Sequence, residues 1–303
     1  MSAFDFAVVG RTTWDTWVAP PRRVRPASLD NFGGSGANVA VAFGQLGLRC
    51  LLVTEIGEDV IGGLCRKHLA LYCQLSSLSR SAHETSHLEI SPGKSYRWLS
   101  AGNGLFEVLQ SDIAQLADQC SRALLVEPVV NSHLRIESGF AYWLPQLTLR
   151  VNPEAVRWLL PIPWLAVFLN SKEAGQLEEL AGCDLLTLSR ELPTRAWVVT
   201  DESSPTSCYS NGIRRHFPVD GAGECVLSVG GGDAFAAGFA AADLGGRPFS
   251  ECIELGHQLA QGAIGQVGCQ LSDGTVQAVL SGFGHLDCSC NGVGDRCPNS
   301  SSR

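Results

Sequence analysis

Lysine and methionine are scarce in this chain, and charged residues of any kind are few. The 303 residues include a single methionine, and the only lysines are Lys67, Lys94 and Lys172. None of them ends a Gly-x-x-x-x-Gly-Lys loop, so the sequence has no P-loop lysine for nucleotide phosphates. Charged residues make up 17% of the chain, with a net charge of −8, which argues against nucleic acid as the main partner.

Long apolar runs are also missing. No window approaches the roughly 18 consecutive apolar residues that a membrane helix needs. The first residues, Met1 to Gly10, carry no basic segment and are interrupted by Asp5, so they are typical of a first strand and not of a signal peptide. The sequence therefore predicts a soluble, cytoplasmic protein with no membrane partner. With 45% hydrophobic residues, it can bury a substantial core.

Cysteine is the exception to this scarcity, with twelve residues. Most lie singly in apolar segments, and without a secretory signal we expect them to be reduced core thiols. Cys288, Cys290 and Cys297 stand near His285 in a Gly- and Ser-rich tail, residues 283–303. One interpretation of these four residues is a zinc site. The Cys-x-Cys spacing and the lack of apolar cover favour a flexible, oxidisable tail.

Apolar, β-rich segments alternate with helical patterns over residues 1–282. The predicted strands are Phe4–Gly10, Cys50–Gly57, Ala123–Pro128, Leu147–Asn152, Leu165–Asn170 and Ala196–Thr200. The predicted helices are Ala37–Leu46, Gly63–Leu71, Asp112–Cys120, Lys172–Leu180, Asp233–Leu244 and Glu251–Gln266. Such alternation predicts an α/β fold with a mostly parallel sheet and helices on both faces.

Two stretches, at about residues 11–32 and 86–106, do not follow that rhythm. The first is rich in Pro, Arg and Trp, and the second alternates polar and apolar residues around Ser91-Pro92-Gly93-Lys94. Alternation around a Pro-Gly turn predicts a solvent-facing hairpin. We expect the two stretches to form a small β-sheet that serves as a lid. Its exposed edge could pair with a second copy of the chain.

The most informative motif is Gly230-Gly231-Gly232-Asp233, followed by an alanine-rich apolar segment. Glycines let backbone N–H groups turn toward one point, and a helix start adds further donors and a partial positive charge. The pattern indicates a phosphate cradle with a carboxylate at its rim, and hence phosphoryl transfer to a hydroxyl with Asp233 as the base. The alternative is a glycine-rich turn before an ordinary helix.

Three further patterns place polar groups where a ligand could bind. Asn38 follows the glycines at 33, 34 and 36 and suits a polyol hydroxyl; a helix-cap role is the alternative. Asn170 and Glu173 end an apolar strand and could hold water around Mg²⁺, although a capping box looks the same. Asp15 follows the first strand and could bind two sugar hydroxyls, or lie on the surface.

Taken in order, these elements resemble the signatures of the ribokinase, or PfkB, family of carbohydrate kinases over residues 4 to 282. The matching segments are Gly33-Gly34-Ser35-Gly36-Ala37-Asn38, Gly57-Glu58-Asp59-Val60-Ile61-Gly62, Asn170 with Glu173, and Gly230-Gly231-Gly232-Asp233. The resemblance implies a ribokinase-like three-layer α/β/α sandwich with a small β-sheet lid. It also implies a kinase that uses ATP and Mg²⁺.

The resemblance assigns a role to each matching position. It implies that Asp233 is the catalytic base and that the N–H groups of Gly230, Gly231 and Gly232 form an anion hole. The implied substrate-binding residues are Asp15, Gly34 and Asn38, with Arg97 or Asn103 facing the substrate from the lid. The implied cofactor-binding residues are Asn170, Glu173, Thr200 and His257, with Glu173 holding Mg²⁺ through water.

The chain departs from the family pattern at three positions. Leu227 stands where relatives often have an Asp linked to a monovalent cation, which argues against K⁺ activation. The segment Asp201–Pro205 has no glycine where relatives often carry a glycine-rich turn, so its acidic residues either weaken ATP binding or lie elsewhere. Arg11 could reach a substrate anion or pair with an acid at the surface, and we favour the surface pair.

The sequence thus predicts an ATP-dependent phosphotransferase acting on an alcohol group of a small sugar or sugar-like substrate. A nucleoside kinase on the same scaffold is the first alternative, because Trp14, Trp17 and Trp98 could stack on a base. A catalytically silent ligand-binding relative is the second, motivated by Leu227 and by Asp201–Pro205.

Overall fold

The computed structural model describes residues 2–18, 28–91, 95–100, 102, 106–219, 229–264 and 270–283. Everything said below about the structure refers to these residues. Asn103, Leu227 and the cysteine-rich tail, each of which carries a prediction, lie outside them.

The strands follow one another along the whole described chain. They are β1 (Phe4–Val9), β2 (Thr13–Val18), β3 (Ser28–Gly33), β4 (Cys50–Val53), β5 (Glu55–Gly57), β6 (Gln74–Leu75), β7 (Arg80–Ala82), β8 (His87–Ser91), β9 (Ser95–Ser100), β10 (Cys120–Val126), β11 (Ala141–Leu144), β12 (Val167–Asn170), β13 (Trp197–Asp201), β14 (Ser204–Ser210) and β15 (Ile213–Phe217).

The helices lie mostly between these strands. They are α1 (Ser35–Gln45), α2 (Val60–Leu69), α3 (Gln110–Gln119), α4 (Thr148–Val151), α5 (Val156–Leu159), α6 (Ser171–Ala181), α7 (Leu185–Glu191), α8 (Gly231–Leu244), α9 (Phe249–Ile264) and α10 (Asp273–Phe283). A short 3₁₀ turn, Pro153–Ala155, joins α4 to α5.

A single large sheet organises the molecule, with the strand order β15-β14-β13-β12-β11-β10-β1-β4-β6. Its pairings from β6 to β13 are parallel, and β14 and β15 add an antiparallel edge. The carboxyl ends of the parallel strands therefore meet at one edge, where α/β folds bind ligands. The predicted α/β sandwich is confirmed.

Both faces of this sheet are covered, as continuously apolar strands require. Phe6 and Val8 of β1 pack into a core with α1, α8 and α9. The alternate residues Ala7 and Val9 pack into a second core with α3, α5, α6 and α7. This division follows from the two-residue period of a strand, and it places the helices in two layers.

The predicted small sheet is also present, in the order β3-β2-β8-β9. β2 pairs antiparallel with β3 and parallel with β8, and β8 and β9 form the predicted hairpin. The turn of this hairpin, residues 92–94, lies outside the described residues. β5 and β7 form a separate, two-stranded parallel sheet.

Two strand predictions need correction. Leu147–Asn152 is not a strand: Thr148–Val151 forms α4, and the strand between β10 and β12 is β11. Cys50–Gly57 is two strands, because β4 joins the large sheet whereas β5 pairs with β7. Apolar content alone did not distinguish one strand from two, or a strand from a short helix.

The cysteines in the described residues are reduced, and five of them are buried: Cys50, Cys65, Cys120, Cys208 and Cys252. Burial raises the pKa of Cys65, Cys120, Cys208 and Cys252 to about 12, so these thiols stay protonated and behave as small hydrophobic groups. Among the described helices, none is long and apolar enough to cross a membrane.

Candidate active site

Asp233 lies in the first turn of α8, at the edge of the sheet where the parallel strands end. Gly230 precedes the helix with a φ of 82°, a left-handed conformation that glycine adopts readily. The first helical hydrogen bond runs from Ala234 N to Gly230 O, at 3.0 Å. The N–H groups of Gly231, Gly232 and Asp233 precede that bond, so they form the partly positive end of the helix.

The carboxylate of Asp233 is held by two amide side chains from distant parts of the chain. Asn38 Nδ2 donates to Oδ2 at 2.9 Å, and Gln146 Nε2 donates to Oδ1 at 2.7 Å. Ser35 Oγ donates in turn to Gln146 Oε1 at 2.7 Å, which fixes the orientation of that amide. We call Ser35, Asn38, Gln146 and Asp233 the Asp233 cluster.

The environment of Asp233 suits proton transfer. Only 4% of the residue is exposed, and this burial raises the pKa of its carboxyl to about 7, against the opposing effect of the bonds from Asn38 and Gln146. The negative charge of Glu127 adds to the increase. A general base works best when its pKa lies near the working pH.

Gln146 and Glu127 belong to the site and were not predicted from the sequence. They follow β11 and β10, which are neighbouring parallel strands. Both backbones have positive φ angles, 39° at Gln146 and 51° at Glu127. Such angles are uncommon for residues with side chains and cluster at functional sites. The sequence signal for Glu127 was an acid directly after a continuously apolar strand.

The prediction that Arg11 pairs with an acid at the surface is wrong, because the pair lies inside the protein. Arg11 Nη2 does pair with a carboxylate, Glu127 Oε2, at 2.8 Å, but the side chains are only 12% and 3% exposed. The guanidinium also lies over the ring of Trp98, 4.8 Å from its centroid, and its Nε is buried with no hydrogen-bond partner in the described residues. Arg11 is therefore an interior link between the core and the small sheet.

Asp15 lies on β2, where the small sheet meets α1. Asp15 is 5% exposed, and burial raises the pKa of its carboxyl to about 6. The hydrogen bond from Thr13 Oγ1 and the charge of Arg11 act in the opposite direction and lower that pKa. A Cβ on Gly33 would stand 1.9 Å from Asp15 Oδ2, so a side chain at this position would displace the Asp15 carboxylate. Gly34 has a φ of 91°, which turns the chain into α1 and toward Asn38.

The small sheet presents Trp98, not Arg97, toward Asp15. Asp15 pairs with Leu88 in the ladder, and Leu88 pairs with Trp98, so these three side chains share one face. Arg97 lies on the other face, where it forms an exposed ion pair with Glu89 at 2.8 Å. The described contacts do not bring Arg97 together with the Asp233 cluster.

Asn170 and Glu173 form a complete capping box at the start of α6. Asn170 Oδ1 accepts from Glu173 N at 2.8 Å, and Glu173 Oε2 accepts from Asn170 N at 2.9 Å. Burial raises the pKa of Glu173, and the charge of Glu127 raises it further. We call these two residues the Asn170 cap. Glu173 Oε1 accepts no hydrogen bond from the described residues.

The remaining predicted cofactor residues lie near β13 and β14. Thr200 Oγ1 donates to Leu169 O at 3.4 Å. His257 Nε2 lies 2.8 Å from Thr206 Oγ1. The segment Asp201–Pro205 forms the exposed tight turn between the two antiparallel strands, and Asp201 Oδ1 accepts from Ser171 Oγ at 2.7 Å. The acidic turn is therefore tied to the start of α6.

Comparison with known proteins confirms the resemblance to the PfkB family. The family model for pfkB carbohydrate kinases matches residues 143–275. An adenosine kinase of Schizophyllum commune is 33% identical over 141 residues, which is 41% of this chain and 41% of that protein. The matching segment thus spans less than half of that relative.

Solved structures show the same fold over nearly the whole chain. A nucleoside kinase of Methanocaldococcus jannaschii, described as an archaeal ribokinase-family member, superposes with a TM-score of 0.70 at 19% identity, covering 92% of this chain and 99% of that one. An Arabidopsis thaliana ribokinase complexed with ribose and ATP gives 0.69 at 17% identity, covering 92% and 99%. The fold is ribokinase-like.

Proposed function

We propose that the protein is an ATP-dependent kinase that transfers a phosphoryl group to an alcohol of a small sugar or nucleoside. The observation that carries this proposal is the Asp233 cluster. A carboxylate with a pKa near 7 lies beside three glycines at a helix start, where a base and a phosphate site are needed together. Phosphoryl transfer depends mainly on positioning and charge neutralisation.

Asp233 acts as the general base in this mechanism. It accepts the proton of the attacking hydroxyl as the oxygen forms its bond to phosphorus. The amides of Asn38 and Gln146 hold the carboxylate in one orientation. They also stabilise its charged form, which keeps the pKa from rising further, so that the carboxyl ionises near neutral pH.

The start of α8 stabilises the charge of the transferring group. The N–H groups of Gly230, Gly231 and Gly232 stand at the positive end of the helix dipole. A Cβ on Gly232 would meet nothing within 4 Å, so space is open at this point for a phosphoryl group. No lysine is required for this role.

The acceptor binds between α1 and the small sheet. Asp15 accepts hydrogen bonds from its hydroxyls, and the backbone of Gly34 leaves room for it. Asn38 Oδ1 is buried with no partner in the described residues, so a substrate hydroxyl can complete its hydrogen bonding. Such an unpaired acceptor costs free energy until a ligand fills it.

ATP and Mg²⁺ are the expected co-substrate and cofactor. The residues present suit Mg²⁺ held through water, because Glu173 offers one free carboxylate oxygen and Glu127 adds negative charge nearby. Mg²⁺ would neutralise charge on the phosphates. The described residues contain no group of three or more His, Cys, Asp or Glu side chains that could hold a metal directly.

A nucleoside is the second acceptor class that the site supports. Trp98 is 40% exposed and shares a face with Asp15, so its ring can stack on a base. Trp17 cannot do so, because it is 3% exposed and packed inside the protein. A thermal-shift comparison of ribose, fructose and adenosine separates the two classes, and a Trp98→Ala variant should lose only the response to adenosine.

The experiment that tests the kinase is ADP release from Mg²⁺-ATP across sugars, sugar acids, sugar phosphates and nucleosides. We expect ADP release with one uncharged class of acceptor, either the sugars or the nucleosides, and we expect the Asp233→Asn variant to lose this activity. Binding of ATP without ADP release from any acceptor would favour a silent relative. The kinase proposal would fail if Asp233→Asn retained near-normal turnover.

We also propose that the small sheet serves as a lid and as a contact between two copies of the chain. β3 and β9 are its edge strands, and exposed edges pair readily with other strands. Sedimentation velocity should show a dimer. A monomer at micromolar concentration would contradict this part of the proposal.

A further inference from the structure

Apart from the proposed acceptor site, a groove lies on the face of the large sheet that α6 covers. It has a volume of about 470 Å³ and lies between α6 and the strands β13, β14 and β15, of which β15 is the sheet edge. Asn38 and Asp233 stand on α1 and α8, which pack on the other face of the sheet. The groove is therefore separate from the Asp233 cluster, and the proposed kinase mechanism does not use it.

The ladder register brings a cationic and an aromatic side chain onto this face. Arg214 pairs with Tyr209, and His216 pairs with Ser207; all four line the groove. Arg214 Nη2 donates to Ser207 Oγ at 3.2 Å, and His216 Nδ1 lies 3.1 Å from the same oxygen.

The guanidinium has most of its donors left for a ligand. It offers five N–H groups, and the described contacts use one of them, on Ser207. Arg214 and His216 are exposed, whereas Ser207 is buried. Arginine with histidine and hydroxyl neighbours is a set of groups that recognises phosphate.

The opposite wall of the groove is formed by α6 and the start of α7, and it combines apolar residues with Ser171 and Glu178. Ala174 and Leu185 are buried there, whereas Val199 belongs to the sheet beside Ser207. Gly175 lies in the middle of α6. A Cβ at Gly175 would meet nothing within 4 Å, and its φ is not positive, so neither packing nor backbone geometry requires a glycine. Glycine nevertheless destabilises a helix by about 1 kcal/mol relative to alanine. Its effect at this position is to keep the groove open for an organic group.

We propose that this groove binds the phosphate monoester of a small metabolite, with the phosphate on Arg214 and His216 and the organic part over Gly175. The groove also contacts Ser171 and Asp201, which adjoin Asn170 and Thr200 in the chain. A bound ester therefore changes the affinity for ATP. This last effect rests on the proposed kinase function, whereas binding itself does not.

Calorimetry on the full chain tests the binding. The probes are ribose 5-phosphate, AMP and inorganic phosphate, and the variants are Arg214→Ala and Gly175→Leu. Arg215→Ala is the matched control, because it removes a charge from the same strand on the opposite face. We expect one ester to bind, with at least a tenfold loss of affinity in both groove variants and less than a twofold change in the control.

Asp15→Asn distinguishes the groove from the acceptor site. Groove binding should survive this change, and the bound ester should shift the KM for ATP at least twofold in the wild type but not in Arg214→Ala. Three results would overturn the proposal: no binding of either ester at millimolar concentration, equal affinity for inorganic phosphate, or binding lost in Asp15→Asn and kept in Arg214→Ala. If binding is found but no kinase activity, only the proposed function fails.

Discussion

The Asp233 cluster and the Asn170 cap are built in opposite ways. The cluster joins residues that are far apart in sequence: 195 positions separate Asn38 from Asp233, and 87 separate Gln146 from Asp233. The cap joins two residues three positions apart. Asn38 and Asp233 are buried and Ser35 and Gln146 are half-buried, whereas Asn170 is exposed. One region depends on the whole fold, and the other would form in any helix with that sequence.

This difference explains why the two regions differ in electrostatics. Around Asp233, burial outweighs two hydrogen bonds and raises the pKa to about 7. Such a shift requires a folded, water-poor interior. The Asn170 cap satisfies backbone groups first, and only one oxygen of Glu173 is left for further chemistry. We therefore expect changes in the cluster to affect catalysis strongly, and changes in the cap to affect mainly the helix.

The largest effect should come from Asp233→Asn. Losing a general base lowers kcat by about 10² to 10⁴-fold, while calorimetry should show that the acceptor still binds, since the amide keeps the shape of the carboxylate. Asp118→Asn is a matched control, because Asp118 is an exposed aspartate on α3. A kcat within threefold of the wild type would remove Asp233 from the mechanism.

Arg11→Ala should give the next largest effect, on stability. It leaves Glu127 buried without its partner, and breaking a buried pair destabilises a protein by about 3–5 kcal/mol. Denaturant unfolding would measure this change. Arg97→Ala is the control, since its pair with Glu89 is exposed and worth at most about 1 kcal/mol. Equal effects of the two changes would show that the Arg11 pair is not buried in solution.

Gln146→Gly should reduce activity and change its pH dependence. Glycine accepts the positive φ at this position, so the change removes the side chain without adding backbone strain. A hydrogen bond to a charged group contributes about 1.5–3 kcal/mol, so we expect kcat to fall about 10- to 150-fold. Gln277→Ala, on exposed helix surface, is the control.

The pH profile gives the sign of this interaction. In the wild type, activity should rise with pH through an apparent pKa near 7 as Asp233 ionises. The bond from Gln146 lowers that pKa, so its loss should move the rise to higher pH. The contribution of Asp233 to the free energy of unfolding should fall as pH rises, whereas the activity rises. The folded protein keeps the Asp233 proton over roughly pH 4–7, where the unfolded chain has lost it, so this contribution falls as pH rises. A profile shifted to lower pH in Gln146→Gly would contradict the assignment.

The smallest effects should come from the Asn170 cap. Asn170→Ala should cost about 1 kcal/mol of stability through loss of the cap. Glu173→Gln keeps the capping box but removes the charge, so it should leave the melting temperature unchanged and raise the Mg²⁺ concentration needed for half-maximal activity. An unchanged Mg²⁺ requirement would restrict Glu173 to its structural role.

The same contrast shows how much of the site could be predicted. The glycine–aspartate motif, Asn38 and the Asn170 cap are local patterns, and they predicted the correct edge of the sheet. Gln146 was missed because the strand before it was placed too late in the chain, at Leu147–Asn152. We predicted Arg11 at the surface because its partner, Glu127, lies 116 positions away in the sequence. That the two residues meet inside the protein follows only from the order of the strands in the sheet.

Phosphoryl transfer that depends on Asp233 can be followed by ³¹P NMR of the wild-type protein with Mg²⁺-ATP and the acceptor found in the ADP screen. We predict a new phosphate-monoester resonance that grows at the same rate as ADP and is absent with Asp233→Asn. Release of inorganic phosphate alone, or the same monoester signal from both proteins, would contradict it.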